Sequence, residues 1–186
     1  KSSEEQHSEA GDRANDSCRV NGNQLRALVV GEGGNLGLTQ LGRMEYAYNG
    51  GLIFTDFIDN SAGVNCSDRE VNIKILLNAI VENGDLTLKQ RNQLLSDMTP
   101  EVNDLVLADN YAQAKAISLA VAQAPRLIEF HIRYLNDLDS KGLIDRELEF
   151  LPDENKLRNR KLDGKGLGRP SISVLMCYSK NILKDD

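Results

Sequence analysis

Two glycine-bearing words carry the residues best suited to chemistry. The first, Val29-Val30-Gly31-Glu32-Gly33-Gly34-Asn35-Leu36-Gly37, runs an apolar pair into a turn that holds a carboxylate and an amide. The second, Phe54 to Glu70, ends a short apolar run in Asp56, Asp59 and Asn60 before more small residues and Ser67. In open α/β sheets the carboxyl ends of strands hold the ligand crevice, because helix N-termini and bare glycine backbone can approach phosphate or ribose there. Gly31, Gly33 and Gly37 match a GxGxxxG variant of the dinucleotide fingerprint, and on that reading Asp56 would hydrogen-bond an adenine-ribose hydroxyl. Glu32 and Asn35 count against it, since they crowd the place a doubly charged pyrophosphate would take. The plainer alternative is a tight turn that packs a helix on a strand.

The surrounding pattern supplies elements to position those words. Ala10, Ala14 and Cys18 suit a short helix ending near Val20, and Asn21-Gly22-Asn23 is a turn. Leu25 to Val30 reads as a strand buried on both faces, because its apolar run does not alternate. Thr39 to Tyr48 reads as a helix with Leu41, Met44 and Tyr48 on one side, stopped by Asn49-Gly50-Gly51, and Leu52 to Thr55 is a second strand. From Asp68 onward the pattern is helix after helix. Ile73, Leu76, Leu77, Ile80 and Val81 line a helix that ends at Asn83-Gly84, and Thr87 to Gln90 is a capping box. Thr99-Pro100-Glu101 signals another start, with Pro at the first helical position, and that helix runs to Pro125. Leu127, Ile128, His131, Tyr134, Leu135 and Leu138 form the next stripe, and weaker helices follow around Asp153–Lys161 and Ser171–Leu183.

The expected fold class is therefore α/β followed by all-α: a partial Rossmann-like nucleotide-binding unit over residues 1–84 and a helical bundle region over 85–186. A lone βαβ unit has two strands, fewer than a stable sheet needs. More sheet is expected elsewhere, so the chain reads as part of a longer polypeptide, or as pairing with one. Its first residue, Lys1, fits a segment cut from something larger.

Composition narrows the function classes. A net charge of −6 removes the general phosphate attraction on which non-specific nucleic-acid binding relies. No apolar run approaches the roughly 20 residues that span a bilayer, and no signal segment opens the chain. Neither nucleic acid nor membrane is an expected partner. Cys18, Cys66 and Cys177 are far apart without a CxxC pair, which reads as buried, reduced thiols in a cytoplasmic protein and gives no metal site. His131 lies on an apolar stripe and reads as a satisfied core histidine. Arg158-Asn159-Arg160-Lys161 reads as a solvated helix face, and Asp104, Asp109 and Glu129 as isolated acids.

The words Val30-Gly31-Glu32-Gly33-Gly34-Asn35 and Asp59-Asn60-Ser61-Ala62-Gly63-Val64-Asn65-Cys66-Ser67 resemble the large NAD-specific glutamate dehydrogenases of bacteria, and the similarity extends from about Gly11 through the C-terminal helices. The resemblance implies that this segment is the second half of the nucleotide-binding domain, so its βαβ unit serves the nicotinamide end and not the pyrophosphate. Smaller glutamate dehydrogenases carry a Glu-Gly-Ala-Asn word, matched by Glu32, Gly33, Gly34 and Asn35. They also carry an Asn-Ala-Gly-Gly-Val word followed by Ser, matched at Asn60, Val64 and Ser67, whereas Ser61 and Ala62 depart from it. The resemblance implies NAD contacts from Gly33, Gly34, Asn35 and Asn60, and substrate contacts from Val64 and Ser67. An amide can donate and accept for a carboxamide or ribose, and a hydroxyl can donate to a carboxylate. Ser67, followed by Asp68-Arg69-Glu70, reads equally as a helix N-cap.

By the same resemblance the catalytic lysine and aspartate lie upstream of this segment, which should be inactive alone. The parent enzyme, an expected homo-oligomer, would oxidise L-glutamate to 2-oxoglutarate and ammonium. Two rival readings stay open: a non-catalytic helical interaction module, and a dehydrogenase for a different amino acid.

Overall fold

Thr39 starts the first helix because its hydroxyl accepts the amide of Gly42 at 3.1 Å, satisfying a donor that the helix ladder leaves over. The helix, α1 (Gln40–Tyr48), ends at Asn49, and Gly50 follows in the left-handed region at φ +94. Two short parallel strands flank it, β1 (Val29–Val30) and β2 (Leu52–Ile53), with Val29 opposite Leu52 and Val30 opposite Ile53. The computed structural model that shows this describes residues 1–11 and 13–185. Both strands are shorter than the sequence pattern suggests. The expected burial of Leu25–Val30 on two faces is corrected: Leu28 and Val29 are 72% and 63% exposed, whereas Ile53 on β2 is fully covered. Two paired residues per strand cannot bury both sheet faces. Tyr46 ties the strand entries together, since its hydroxyl donates to the Ala27 carbonyl at 2.7 Å while its ring lies where any Cβ at Gly51 would have to be.

Most of the remainder is helical. After β2, α2 (Asp56–Asp59) leads to α3 (Ser61–Glu82) and α4 (Leu88–Gln123), followed by α5 (Ile128–Ser140), α6 (Glu154–Leu162) and α7 (Arg169–Asp185). Ahead of β1, the short helix expected near Ala14 is a 3-10 turn over Arg13–Cys18. The chain divides into two compact units, Lys1–Asp59 with Lys115–Asp186, and Asn60–Ala114. The division expected near Gly84 falls in the turn between α3 and α4, inside the second of these.

In the first unit, Ile132, Leu135 and Leu138 of α5 pack with Ile117, Leu157, Leu167, Ile172 and Val174 in one cluster that also takes in Ile58. The three- and four-residue steps along α5 put these side chains on one face. Asp153 caps α6 by accepting the Lys156 amide at 2.8 Å. His131 is in this core as expected, but it is not satisfied: its Nδ1 has no hydrogen-bond partner, and burial pushes its pKa below the ordinary value. Arg160 leaves the solvated face expected of it, with its guanidinium 3.9 Å over the Tyr48 ring and its Nε donating to the Gly166 carbonyl. All three cysteines are free thiols, although Cys18 is exposed and the other two only half-buried.

In the second unit, α3 begins at Ser61, earlier than the expected start near Asp68, because the Asn60 carbonyl already accepts the Gly63 amide at 2.9 Å. Ser67 therefore sits two turns inside a helix, and the N-cap reading is corrected. The expected stop holds, with Asn83 at the helix end and Gly84 at φ +83. Thr87 and Gln90 form the predicted capping box, each side chain accepting the other's backbone amide at 3.3 and 2.9 Å. The predicted new start at Thr99-Pro100 does not occur, and α4 passes through Pro100 unbroken. An interior proline costs about 3 kcal/mol, and a fresh helix would need a new, unfavourable nucleus. The Thr99 hydroxyl donates instead to the Leu95 carbonyl at 3.0 Å.

Candidate functional site

The glycine turn is held from beneath by acids. Asp59 Oδ2 accepts the Glu32 amide at 2.8 Å, Asp56 Oδ2 accepts the Leu36 amide at 2.9 Å, and Glu32 Oε1 accepts the Leu38 amide at 3.0 Å. Arg43, on α1, joins them: its Nε and Nη2 fork onto the Glu32 carboxylate at 2.6 and 3.0 Å, and Nη2 lies 3.1 Å from Asp56 Oδ2. The Glu32 and Arg43 side chains are 3% and 7% exposed. Burial opposes the charge on Arg43, but its hydrogen bonds and charge contacts to Glu32 and Asp56 outweigh that, and its pKa is raised. Asp59 is pushed up by burial, with the charges of Glu32 and Asp56 adding to the effect.

Two carboxylates, Glu32 and Asp56, share the Arg43 guanidinium and Asp59 lies close by, so acids outnumber the one cation in the floor beneath the turn. That floor repels a pyrophosphate. The ribose role weighed for Asp56 is overturned as well, because its carboxylate is turned inward to Arg43 and the Leu36 amide. Above the floor, Gly33, Gly34 and Asn35 are exposed, and a Cβ built on either glycine meets nothing within 4 Å. The space beside both glycines is open. A flat neutral or cationic ring, or a carboxamide, suits such a surface; a polyanion does not. Leu36 closes the turn in the left-handed region at φ +66 with its side chain 87% exposed.

The other predicted residues lie on the second unit. Asn60 sits half-buried at the entry to α3, Val64 is 59% exposed, and Ser67 is exposed. Steps of four and three residues put Asn60, Val64 and Ser67 on one stripe of the helix. Cys66, Glu70, Ile73 and Lys74 of α3 line a cavity of about 270 Å³ together with Leu95, Met98 and Val102 of α4. The structure thus gathers the six residues into two sets, Gly33, Gly34 and Asn35 on one turn, and Asn60, Val64 and Ser67 on one helical stripe. Among the described residues no group of three or more His, Cys, Asp or Glu side chains is arranged to hold a metal ion.

Sequence reasoning missed Arg43. The available signal was an arginine beside Met44 in a helix that must cover a strand, with Glu32 just after the first strand and Asp56 and Asp59 soon after the second.

Residues 1–120 match the family of the bacterial NAD-glutamate dehydrogenase catalytic domain. Proteins named NAD-specific glutamate dehydrogenase from Halomonas elongata and Pseudomonas aeruginosa are each 55% identical to the chain over its whole length. One from Mycobacterium tuberculosis is 47% identical, also over the whole chain. The chain spans 11–12% of the length of these relatives. It belongs to the bacterial NAD-glutamate dehydrogenase catalytic-domain family.

Proposed function

We propose that this chain is one segment of a large NAD-dependent dehydrogenase that converts L-glutamate to 2-oxoglutarate and ammonium. The segment's share is the nicotinamide end of the coenzyme site and part of the amino-acid pocket. The observation that carries this reading is the turn at Gly33-Gly34-Asn35, exposed and unobstructed above an acidic floor, in a chain of this family. The chemistry that NAD supplies when bound is acceptance of a hydride from the substrate Cα. The chain's own residues do the holding. Gly33 and Gly34 give close backbone approach, and Asn35 and Asn60 offer amide donors and acceptors for the carboxamide and ribose. Val64 lines the substrate side chain, and the Ser67 hydroxyl donates to its distal carboxylate. Such contacts work by orienting the reacting carbons and excluding water.

In this reading residues 1–84 form the second half of a Rossmann-like domain, whose remaining strands come from the parent polypeptide and pair with β1 and β2. Residues 85–186 are the start of its helical C-terminal region. The lysine and aspartate of catalysis lie elsewhere in the parent, so the segment alone is inactive. The parent is a cytoplasmic homo-oligomer that binds neither nucleic acid nor membrane; no helix among the described residues is long and apolar enough to cross one.

The test is a steady-state assay of the full-length protein with NAD and a panel of amino acids. Asn60→Ala should weaken coenzyme use with every amino acid, whereas Ser67→Ala should harm glutamate more than shorter substrates. Equal losses across the panel would remove Ser67 from the pocket. Turnover of another amino acid in preference to glutamate would replace the substrate.

A further inference from the structure

Four side chains below the glycine turn do work that the turn cannot do for itself. Leu36 is held in a left-handed conformation that costs an L-residue energy, and its own side chain is 87% exposed, so no packing offsets that cost. Gly33 and Gly34 touch nothing on their open side. The turn is therefore anchored by its three amide-to-carboxylate bonds, from Glu32, Leu36 and Leu38.

Two of the three accepting carboxylates, Glu32 and Asp56, are themselves held by Arg43. Gln40 adds a fourth contact, its Oε1 accepting from Arg43 Nη1 at 3.3 Å. Without the guanidinium, buried acids of like charge would repel one another, and the side chains that seat Leu36 and Leu38 would turn toward solvent. A lysine could not replace it, because one ammonium cannot make the planar fork to Glu32 while also reaching Asp56.

We propose that Arg43 is the positioning residue of the coenzyme turn, acting through Glu32 and Asp56 to hold the backbone of Gly33-Gly34-Asn35 in its binding shape. This rests on the reading of the turn given above. Arg43 is itself 6% exposed and lies beneath the turn, so it acts on the coenzyme through the turn's shape.

The experiment uses the full-length dehydrogenase, with Arg43→Lys and Asp56→Asn compared with the unchanged enzyme. Asp56→Asn keeps an oxygen for the Leu36 amide but removes the charge that Arg43 holds. Coenzyme and glutamate KM, kcat, and amide hydrogen exchange of the peptide spanning residues 31–38 are measured. Arg43→Lys should raise the NAD KM about tenfold while moving the glutamate KM less than about twofold. Exchange in that peptide should quicken by a similar factor, with peptides of α5 and α7 unchanged. Asp56→Asn should give the same pattern at about half the size on a logarithmic scale.

Unchanged NAD KM in both variants, or equal acceleration of exchange throughout the protein, would overturn the proposal and leave Arg43 a structural ion pair. An unchanged enzyme that neither binds nor uses NAD would instead overturn the functional reading. If Arg43→Lys fails to fold, Asp56→Asn alone decides between these results.

Discussion

The two compact units solve the problem of burial in opposite ways. The first, Lys1–Asp59 with Lys115–Asp186, closes a continuous aliphatic core and even seals an arginine among acids under its glycine turn. The second, Asn60–Ala114, has Leu77 and Val106 as its buried aliphatic residues, while Val64, Ile75, Leu76, Leu107 and Tyr111 are each at least 59% exposed. Its ion pairs follow suit: Arg69 meets Asp109 at 2.5 Å with side chains 30% and 52% exposed, and Lys74 with Glu70 is more open still on the lysine side. The first unit encloses a core, although Leu28, Val29 and Leu162 of it also stand in the open. The second leaves most of its aliphatic side chains in the open and encloses few. Shared helical character therefore says little about where stability resides, and the count of enclosed side chains says much.

The sharpest way to break this contrast is to remove one arginine from each unit. Arg43→Ala should cost about 3–5 kcal/mol, because it strands buried carboxylates, whereas Arg69→Ala should cost less than about 1 kcal/mol. Urea denaturation of the 186-residue chain measures both, and similar costs would erase the distinction. Truncating leucines gives a second comparison of slightly smaller size. Leu135→Ala, at a fully enclosed position, should lose about 2–5 kcal/mol, and Leu76→Ala, 61% exposed, should stay within about 0.5 kcal/mol. In the full-length protein a much larger cost for Leu76→Ala would mean that the second unit's open face is covered there.

The smallest effect is one of pH. His131 has a folded pKa lowered by burial, so the unfolded chain binds the proton more readily than the folded one. Its contribution is present above the unfolded value near 6.5 and is lost progressively as pH falls below it. His131→Leu should flatten stability between about pH 7 and pH 5, measured by thermal melts across that range. A variant with an unaltered slope would show that other groups set the acid sensitivity of this unit.

Much of this architecture was readable from residue types alone. The helix read over Thr39–Tyr48, its stop at Asn49-Gly50, the Thr87–Gln90 box and the α5 stripe all follow from local rules, and local rules decided them. Two boundaries went the other way for a shared reason. Ser67 and Thr99-Pro100 look like helix starts in isolation, but each lies in a helix already under way, where extending costs less than starting again. The strand at Leu25–Val30 was overestimated because a run of apolar residues does not reveal whether a cover exists on each face. At the candidate site the glycines and amides stood out by type. The ion cluster did not, since Glu32, Arg43, Asp56 and Asp59 converge only once α1 folds back along β1 and β2.

Tyr46 gives the approach to the two strands a fixed gauge. Its ring occupies the space a methyl group at position 51 would need, and its phenol reaches across to Ala27, so one rigid side chain sets how far apart the two strand entries stand. The spacing is thus written in the length of a tyrosine, and even the smallest bulk added at Gly51 would pry the strands' lead-ins apart before either edge could recruit a neighbour.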